Sequence, residues 1–420
     1  RDTDRSRGLG DVYKRQGLLF YDCLGIQLID ELLVAILALF TLLVRLNSDK
    51  KLSKEMGAFI VISLFYLIYS IILKITSPIA ILYDFQQQVK PFVVFYCTSY
   101  LNPQFNKRQI KVISITCIIT VIITICVIPQ TVVSISFMGG HITSLASLTM
   151  ALFCILYYLN QRRSLLPVSI LSLGLFSMRA KFFVTYAFSI LLFSLHKRIK
   201  LFNIRILVMS GILIFILINY VIWDKFNLYF IQGTEEDSGV ARPLFYITSF
   251  KILIDYFPFG SGLASFANNA SGIFYSPLYY KYDLWQVWGC TPAYPDFVAD
   301  AFYPNLAQFG IVGVLLFFYF LYKRYNEITR LKNVDRYILG LIVLITILFE
   351  SVADTMILSN RGVLFFLILG MLRNDLLKDN SEYKDSMEKE KIPFMGISID
   401  NLTIDEIIDL SLIHISEPTR

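Results

Sequence analysis

Long apolar runs alternate with short polar connections over most of the chain. They fall at about 24–44, 57–73, 78–101, 112–129, 144–160, 164–178, 182–196, 204–223, 303–322, 337–353 and 357–372. None keeps the strict alternation of a half-buried strand, and most approach the length that crosses a hydrocarbon core of about 30 Å as a helix. The pattern predicts an all-α fold, a polytopic helical membrane protein with about 11 spans. In lipid the helix is the natural choice, because it satisfies its own backbone hydrogen bonds. One segment, residues 225–302, breaks the rhythm and reads as a single large loop between two spans.

Charge adds direction to this pattern. Alternate connections are basic: Arg45, Lys50, Lys51 and Lys54; Lys107, Arg108 and Lys111; Arg162 and Arg163; Lys197, Arg198, Lys200 and Arg205; Lys323, Arg324, Arg330, Lys332 and Arg336. The opposite connections hold Lys74, Lys90, Arg179, Lys181 and Arg361, so the first set marks the cytoplasmic side and the loop 225–302 lies outside. An odd number of spans points to a parent of twelve with both ends inside. No internal repeat is visible, as a transporter of paired halves would show. Of the 420 residues, 56% are hydrophobic and 17% charged, against roughly 45–50% and about 25% in soluble domains. The mean hydropathy is +0.61, which excludes a water-soluble globular enzyme. The net charge of +6 lies in topology clusters, so nucleic acid is not an expected partner. The six cysteines show neither a disulfide framework nor a CxxC metal spacing, and no metal or cofactor is expected.

Composition shifts divide the chain further. Residues 1–16 (RDTDRSRGLGDVYKRQ) and 411–420 (SLIHISEPTR) read like translated sequencing adapter and are set aside as a tag is. A membrane domain over 17–373 is followed by a charged cytoplasmic linker, 374–391, and by the start of a further cytoplasmic segment, 392–410. There Thr403 and Glu406 have the spacing of a helix-capping pair.

Candidate chemistry gathers at the outer loop. Its 78 residues include 10 Phe, 8 Tyr and 2 Trp. The stretch SPLYYKYDLWQVW, with Tyr282, Trp285 and Trp288, suits sugar rings and equally suits anchorage at the lipid headgroups. Glu235, Glu236 and Asp237 read as a solvated turn, and Gly260 and Gly262 as a tight turn. His141 and His196 fit no triad or metal site. Arg179 and Lys181 in FSMRAKFF, Arg242 in GVARPLFY and Arg361 in LSNRGVLFF are outer-side cations of the kind that grip a diphosphate. Snorkelling to the interface is the other reading of Arg179 and Lys181, and a pairing with Glu350 or Asp354 the other reading of Arg361. Asp300, where the loop returns to the membrane, is either a proton acceptor or the N-cap of the next helix.

The arginine after a short span (FSMRAKF), the run from Arg242 to Asp255 and on through YFPFGSGL, and the helix start NLAQFGIVGVLLF resemble the O-antigen polymerase and ligase superfamily, the Wzy-type polymerases and WaaL-type ligases. The likeness covers nearly the whole of 17–373. It implies a metal-independent glycosyl transfer on the periplasmic face of a bacterial inner membrane, with undecaprenyl-diphosphate-linked glycans as donor and acceptor. A chain-length regulator is an implied further partner. Ligases of the superfamily carry a histidine near the loop's return, and PDFVADAFYPN has none, which favours a polymerase of O-antigen or capsule and leaves Asp300 as the candidate base. Ligation to lipid A-core and non-enzymatic flipping of lipid-linked oligosaccharides are the alternatives. KIPFMGISIDNLTIDEIIDL resembles the opening of WecG/TagA-type glycosyltransferases.

Overall fold

The computed structural model describes residues 29–47, 53–103, 105–127, 143–160, 165–177, 179–194 and 241–390. Among these residues the structure is helical, without a strand. The helices are α1 Ile29–Leu46, α2 Lys54–Leu73, α3 Pro78–Leu101, α4 Lys107–Val127, α5 Thr143–Asn160, α6 Leu166–Leu173 and α7 Ala180–Ser194. After the undescribed stretch come α8 Ala241–Asp255, α9 Asn269–Ile273, α10 Leu278–Lys281, α11 Phe302–Asn305, α12 Gly310–Ile328, α13 Val334–Glu350 and α14 Asn360–Glu390. The described parts of ten of the eleven apolar runs fall on helices, and the run at 204–223 lies outside the described residues. So do the two ends, Thr403 and Glu406, Glu235 to Asp237, His141 and His196.

Local chemistry sets several helix ends. Ser53 accepts a hydrogen bond from the Met56 N–H at 3.2 Å and opens α2; Ser77 does the same for Ala80 at 3.3 Å, with Pro78 at the first turn of α3. Both helices stop at a left-handed residue, Lys74 (φ 55°) and Asn102 (φ 50°), which closes the last turn. Among the described residues two helices are long and apolar enough to cross a membrane: α2, and the nearly continuous helix Phe302–Ile328 made of α11, a 3₁₀ turn and α12. Leu145–Asn160, Leu166–Ser177 and Lys181–Ser194 are shorter apolar helices. Large side chains such as Leu33, Leu39, Val61, Ile68 and Ile72 stand exposed along α1 and α2, where a water-soluble protein would bury them.

The expected loop is a folded body over its described part, 241–302. Phe245, Ile252, Phe266, Tyr279, Leu284 and Cys290 form its own core. Gly260 and Gly262 both sit at φ 81°, and a side chain on Gly260 would stand 2.2 Å from the Gly310 nitrogen, so the turn closes directly on the start of α12. Tyr69 donates to the Gly260 carbonyl at 2.9 Å, Ser70 accepts from the Leu263 N–H at 2.8 Å, and Tyr66 donates to the Phe309 carbonyl at 2.7 Å. These bonds hold the loop on α2.

Three expectations change. Lys90 is not in an outer connection but within α3, buried and 3.3 Å from Glu31 of α1, because the apolar periodicity of 78–101 outweighs one basic residue that has a carboxylate to meet. Arg324, counted among the basic residues of the cytoplasmic connections, is buried. Residues 374–390, expected as a linker, continue α14. The chain divides into the units Arg1–Asp375 and Leu376–Arg420.

Candidate functional site

Chain geometry delivers charge to one place from four directions. Lys181 stands in the first turn of α7, Arg361 at the second position of α14, Arg242 at the second position of α8, and Glu350 at the last position of α13. The turn after α13 carries Asp354, and Asp300 lies two residues before α11. Backbone contacts lock the two connecting segments together. The Phe302 N–H bonds to the Ser351 carbonyl at 3.1 Å, Thr355 donates to the Ala299 carbonyl at 3.1 Å, and Tyr246 of α8 donates to the Val352 carbonyl at 2.8 Å.

On this frame Lys181 Nζ lies 2.7 Å from Glu350 and 2.7 Å from Asp354. Arg361 Nη2 reaches Asp354 at 3.2 Å, and its Nη1 donates to Ser147 Oγ of α5 at 3.0 Å. Arg242 donates to Asp300 in a close ion pair. The two groups of charges lie on segments tied together by the Phe302–Ser351 and Thr355–Ala299 bonds. Three cations thus face three carboxylates. Packing alone would raise Asp354, yet Arg361 and Lys181 hold it well below the usual carboxylate range. Asp300 keeps 37% of its side chain open, but the protein packed round its carboxyl raises it against the pull of Arg242.

Among the residues singled out from sequence, Lys181, Arg242, Arg361 and Asp300 therefore come together. Arg361 takes the carboxylate pairing, with Asp354, and Glu350 goes to Lys181. The N-cap reading of Asp300 is overturned: the cap position of α11 belongs to Ala301. Arg179, half-buried, stands just before α7, and its carbonyl accepts from the Phe182 and Phe183 N–H groups at 2.9 and 3.2 Å.

The aromatic residues occupy a different part of the loop body. Tyr282 donates to Asp255 at 2.8 Å beside Lys281, which is 3.1 Å from the same carboxylate. Its hydroxyl is pushed up to about 12 by burial and by that carboxylate. Trp285 lies against Tyr280, with centroids 6.1 Å apart. Trp288 is 76% exposed and meets Phe297, three residues before Asp300, edge to face at 5.2 Å. Only Trp288 rests on the segment that carries the candidate base.

Sequence reasoning missed a second polar assembly, which is fully buried. Asp84 of α3 accepts from the Ala264 N–H at 2.7 Å, from Gln88 at 3.0 Å and from Asn268 at 3.3 Å. Asn268 also donates to Gln308 at 2.9 Å, and Asn305 joins Gln88 and Gln308. The available signal was the polar set Asp84, Gln86, Gln87, Gln88 and Lys90 inside an apolar run. Among the described residues no group of three or more His, Cys, Asp or Glu is arranged to hold a metal. No family model matches the chain, and neither a curated protein nor a solved structure matches it.

Proposed function

We propose that the chain is a multi-pass membrane glycosyltransferase that polymerises undecaprenyl-diphosphate-linked oligosaccharide repeats on the outer face of the bacterial inner membrane. The helices on the apolar runs, together with the run at 204–223, are read as its eleven spans, in keeping with the exposed apolar faces of α1 and α2. The observation that carries the reading is the meeting of Lys181, Arg242 and Arg361 beside Asp300, where the aromatic loop returns to α12.

In this reading the acceptor hydroxyl oxygen attacks the anomeric carbon of the donor, and the bond from that carbon to the diphosphate oxygen breaks. The electron pair leaves with the diphosphate, whose charge the three cations stabilise. Asp300 accepts the hydroxyl proton. Arg242 exchanges Asp300 for the diphosphate when the donor binds, which frees the carboxylate only in the loaded site. Lys181 and Arg361 stay aimed by Glu350 and Asp354, so little reorganisation remains for the reacting state.

The test is polymer formation in vesicles that contain the purified chain and undecaprenyl-diphosphate-linked repeat units. Arg242→Ala should abolish the glycan ladder while the protein stays folded in the membrane. A full ladder from that variant removes Arg242 from the mechanism. Transport of the lipid-linked unit without any new glycosidic bond makes the protein a flippase, and glycan found on lipid A-core makes it a ligase.

A further inference from the structure

We propose that the end of the bundle opposite to the candidate site holds a second anion site, which takes the phosphate of an anionic phospholipid headgroup. Arg324 and Glu327 near the end of α12 and Arg373 of α14 line a small open recess of about 10 Å³, room for a single oxygen atom. Arg324 is 2% exposed, and its guanidinium lies over the Phe95 ring at 4.6 Å and the Phe320 ring at 5.2 Å. Glu55 of α2 serves three cations: Lys323 at 2.5 Å, Arg373 at 2.9 Å and Arg324 at 3.0 Å. Glu327 lies 2.9 Å from Arg324 and 3.8 Å from Arg373. Three cations therefore share two carboxylates.

A second observation points to a ligand: the buried Nε of Arg324 meets no acceptor among the described residues. A buried donor of a charged group left without a partner is costly, and a phosphate oxygen in the recess supplies the missing acceptor. The remaining walls of the recess are aliphatic, Ile328, Leu331, Leu369 and Leu372. A site with two guanidinium groups and the Glu327 carboxylate on one side and aliphatic groups on the other fits an amphiphile better than a free ion. The depth agrees. Tyr319 and Tyr322, each 60% exposed on α12, stand just before Lys323 and Arg324, in the manner of aromatic residues at headgroup level. The inference rests on the membrane setting of the reading above and not on its glycan chemistry.

The experiment uses the purified full chain in nanodiscs of phosphatidylcholine with and without phosphatidylglycerol. Retained lipid is read by native mass spectrometry and unfolding by a thermal melt. The wild type should retain phosphatidylglycerol and melt higher in its presence, while inorganic phosphate alone leaves the melt unchanged. Arg373→Gln should weaken retention about tenfold or more, and Arg373→Lys less. Arg330→Gln removes the same charge from an exposed position at the same end and should leave retention unchanged. Equal loss from the Arg330 and Arg373 variants, or wild-type retention by Arg373→Gln, overturns the proposal. Should Arg373→Gln not fold, unchanged retention by Arg373→Lys and by Arg324→Lys together overturns it. A melt shift from inorganic phosphate without lipid retention reassigns the site to free phosphate and overturns the lipid assignment. Failure here leaves the glycan ladder assay untouched, so the two readings fall separately.

Discussion

Two ionic clusters sit toward opposite ends of the same helices, with Arg361 and Arg373 twelve residues apart on α14, or about 18 Å at 1.5 Å per residue. The one at the start of α14 balances Lys181, Arg242 and Arg361 against Glu350, Asp354 and Asp300. The one further along α14 sets Lys323, Arg324 and Arg373 against Glu55 and Glu327. Both bring cations together from separated segments, but the balance differs. A balanced cluster holds its geometry without a ligand, and it accepts an anion only by exchanging a carboxylate, as proposed for Arg242 and Asp300. A cluster with excess positive charge is incomplete until an anion arrives. On the two proposals above, the same residue types make a site that opens on demand at one end and a standing socket at the other.

The largest expected effect comes from breaking the balanced end. Asp354→Asn leaves Arg361 without its carboxylate and Lys181 with only Glu350, and should lower stability by about 3–5 kcal/mol in a denaturant or thermal melt. The pH dependence checks the same pairings. With its folded-state value below the unfolded one, Asp354 contributes stability that is present above about pH 4 and is lost as the pH falls through its depressed value. Asp300 has the opposite sign. Its raised value makes the folded state hold the proton more firmly, so its contribution falls as the pH climbs from about 4 through that value. Asp354→Asn should remove the acid-side loss, and Asp300→Asn should remove the decline above it. A melt of Asp354→Asn equal to the wild type at every pH would show that the pairings carry no stability.

Much of this architecture was legible in sequence, and the parts that were not share a physical reason. Hydropathy placed the helices well, as in 78–101 against Pro78–Leu101, because burying an apolar face in lipid or protein needs only local periodicity. It also brought out Lys181, Arg242, Arg361 and Asp300, since charge beside apolar runs is costly and therefore conspicuous. Partners were harder to see. Whether Arg361 meets Glu350 or Asp354 depends on the turn after α13, and whether Arg324 is solvated depends on Glu55, 269 residues away in sequence. Asp84 illustrates the same limit, because its bonds to Ala264 and Asn268 depend on how a distant loop folds onto α3.

A middle-sized effect should come from Glu55→Gln, which leaves Lys323, Arg324 and Arg373 with Glu327 alone. It should destabilise the chain by about 2–3 kcal/mol in phosphatidylcholine nanodiscs. Phosphatidylglycerol should recover part of this loss, because the anion replaces the missing carboxylate, whereas it should recover none of the loss in Asp354→Asn. Equal rescue of both variants would mean that bulk surface charge is responsible, and the distinction between the two ends would disappear.

The smallest effect concerns the surface beside the balanced cluster, where the proposed acceptor would lie. Trp288 is 76% exposed and packs edge to face on Phe297, close to Asp300 in the chain. Its removal leaves no cavity, so Trp288→Leu should change stability by less than about 0.5 kcal/mol. If the ring holds an acceptor sugar, its loss should raise KM several-fold and up to about tenfold, the equivalent of one aromatic contact, with kcat nearly unchanged. Trp288→Phe should keep most of the wild-type KM, since a flat apolar face remains. An anchor at the lipid headgroups behaves differently, because leucine still partitions toward the acyl region while losing the face. Wild-type KM in Trp288→Leu would therefore assign Trp288 to the membrane surface and leave the balanced cluster to choose its acceptor by charge and proton transfer alone.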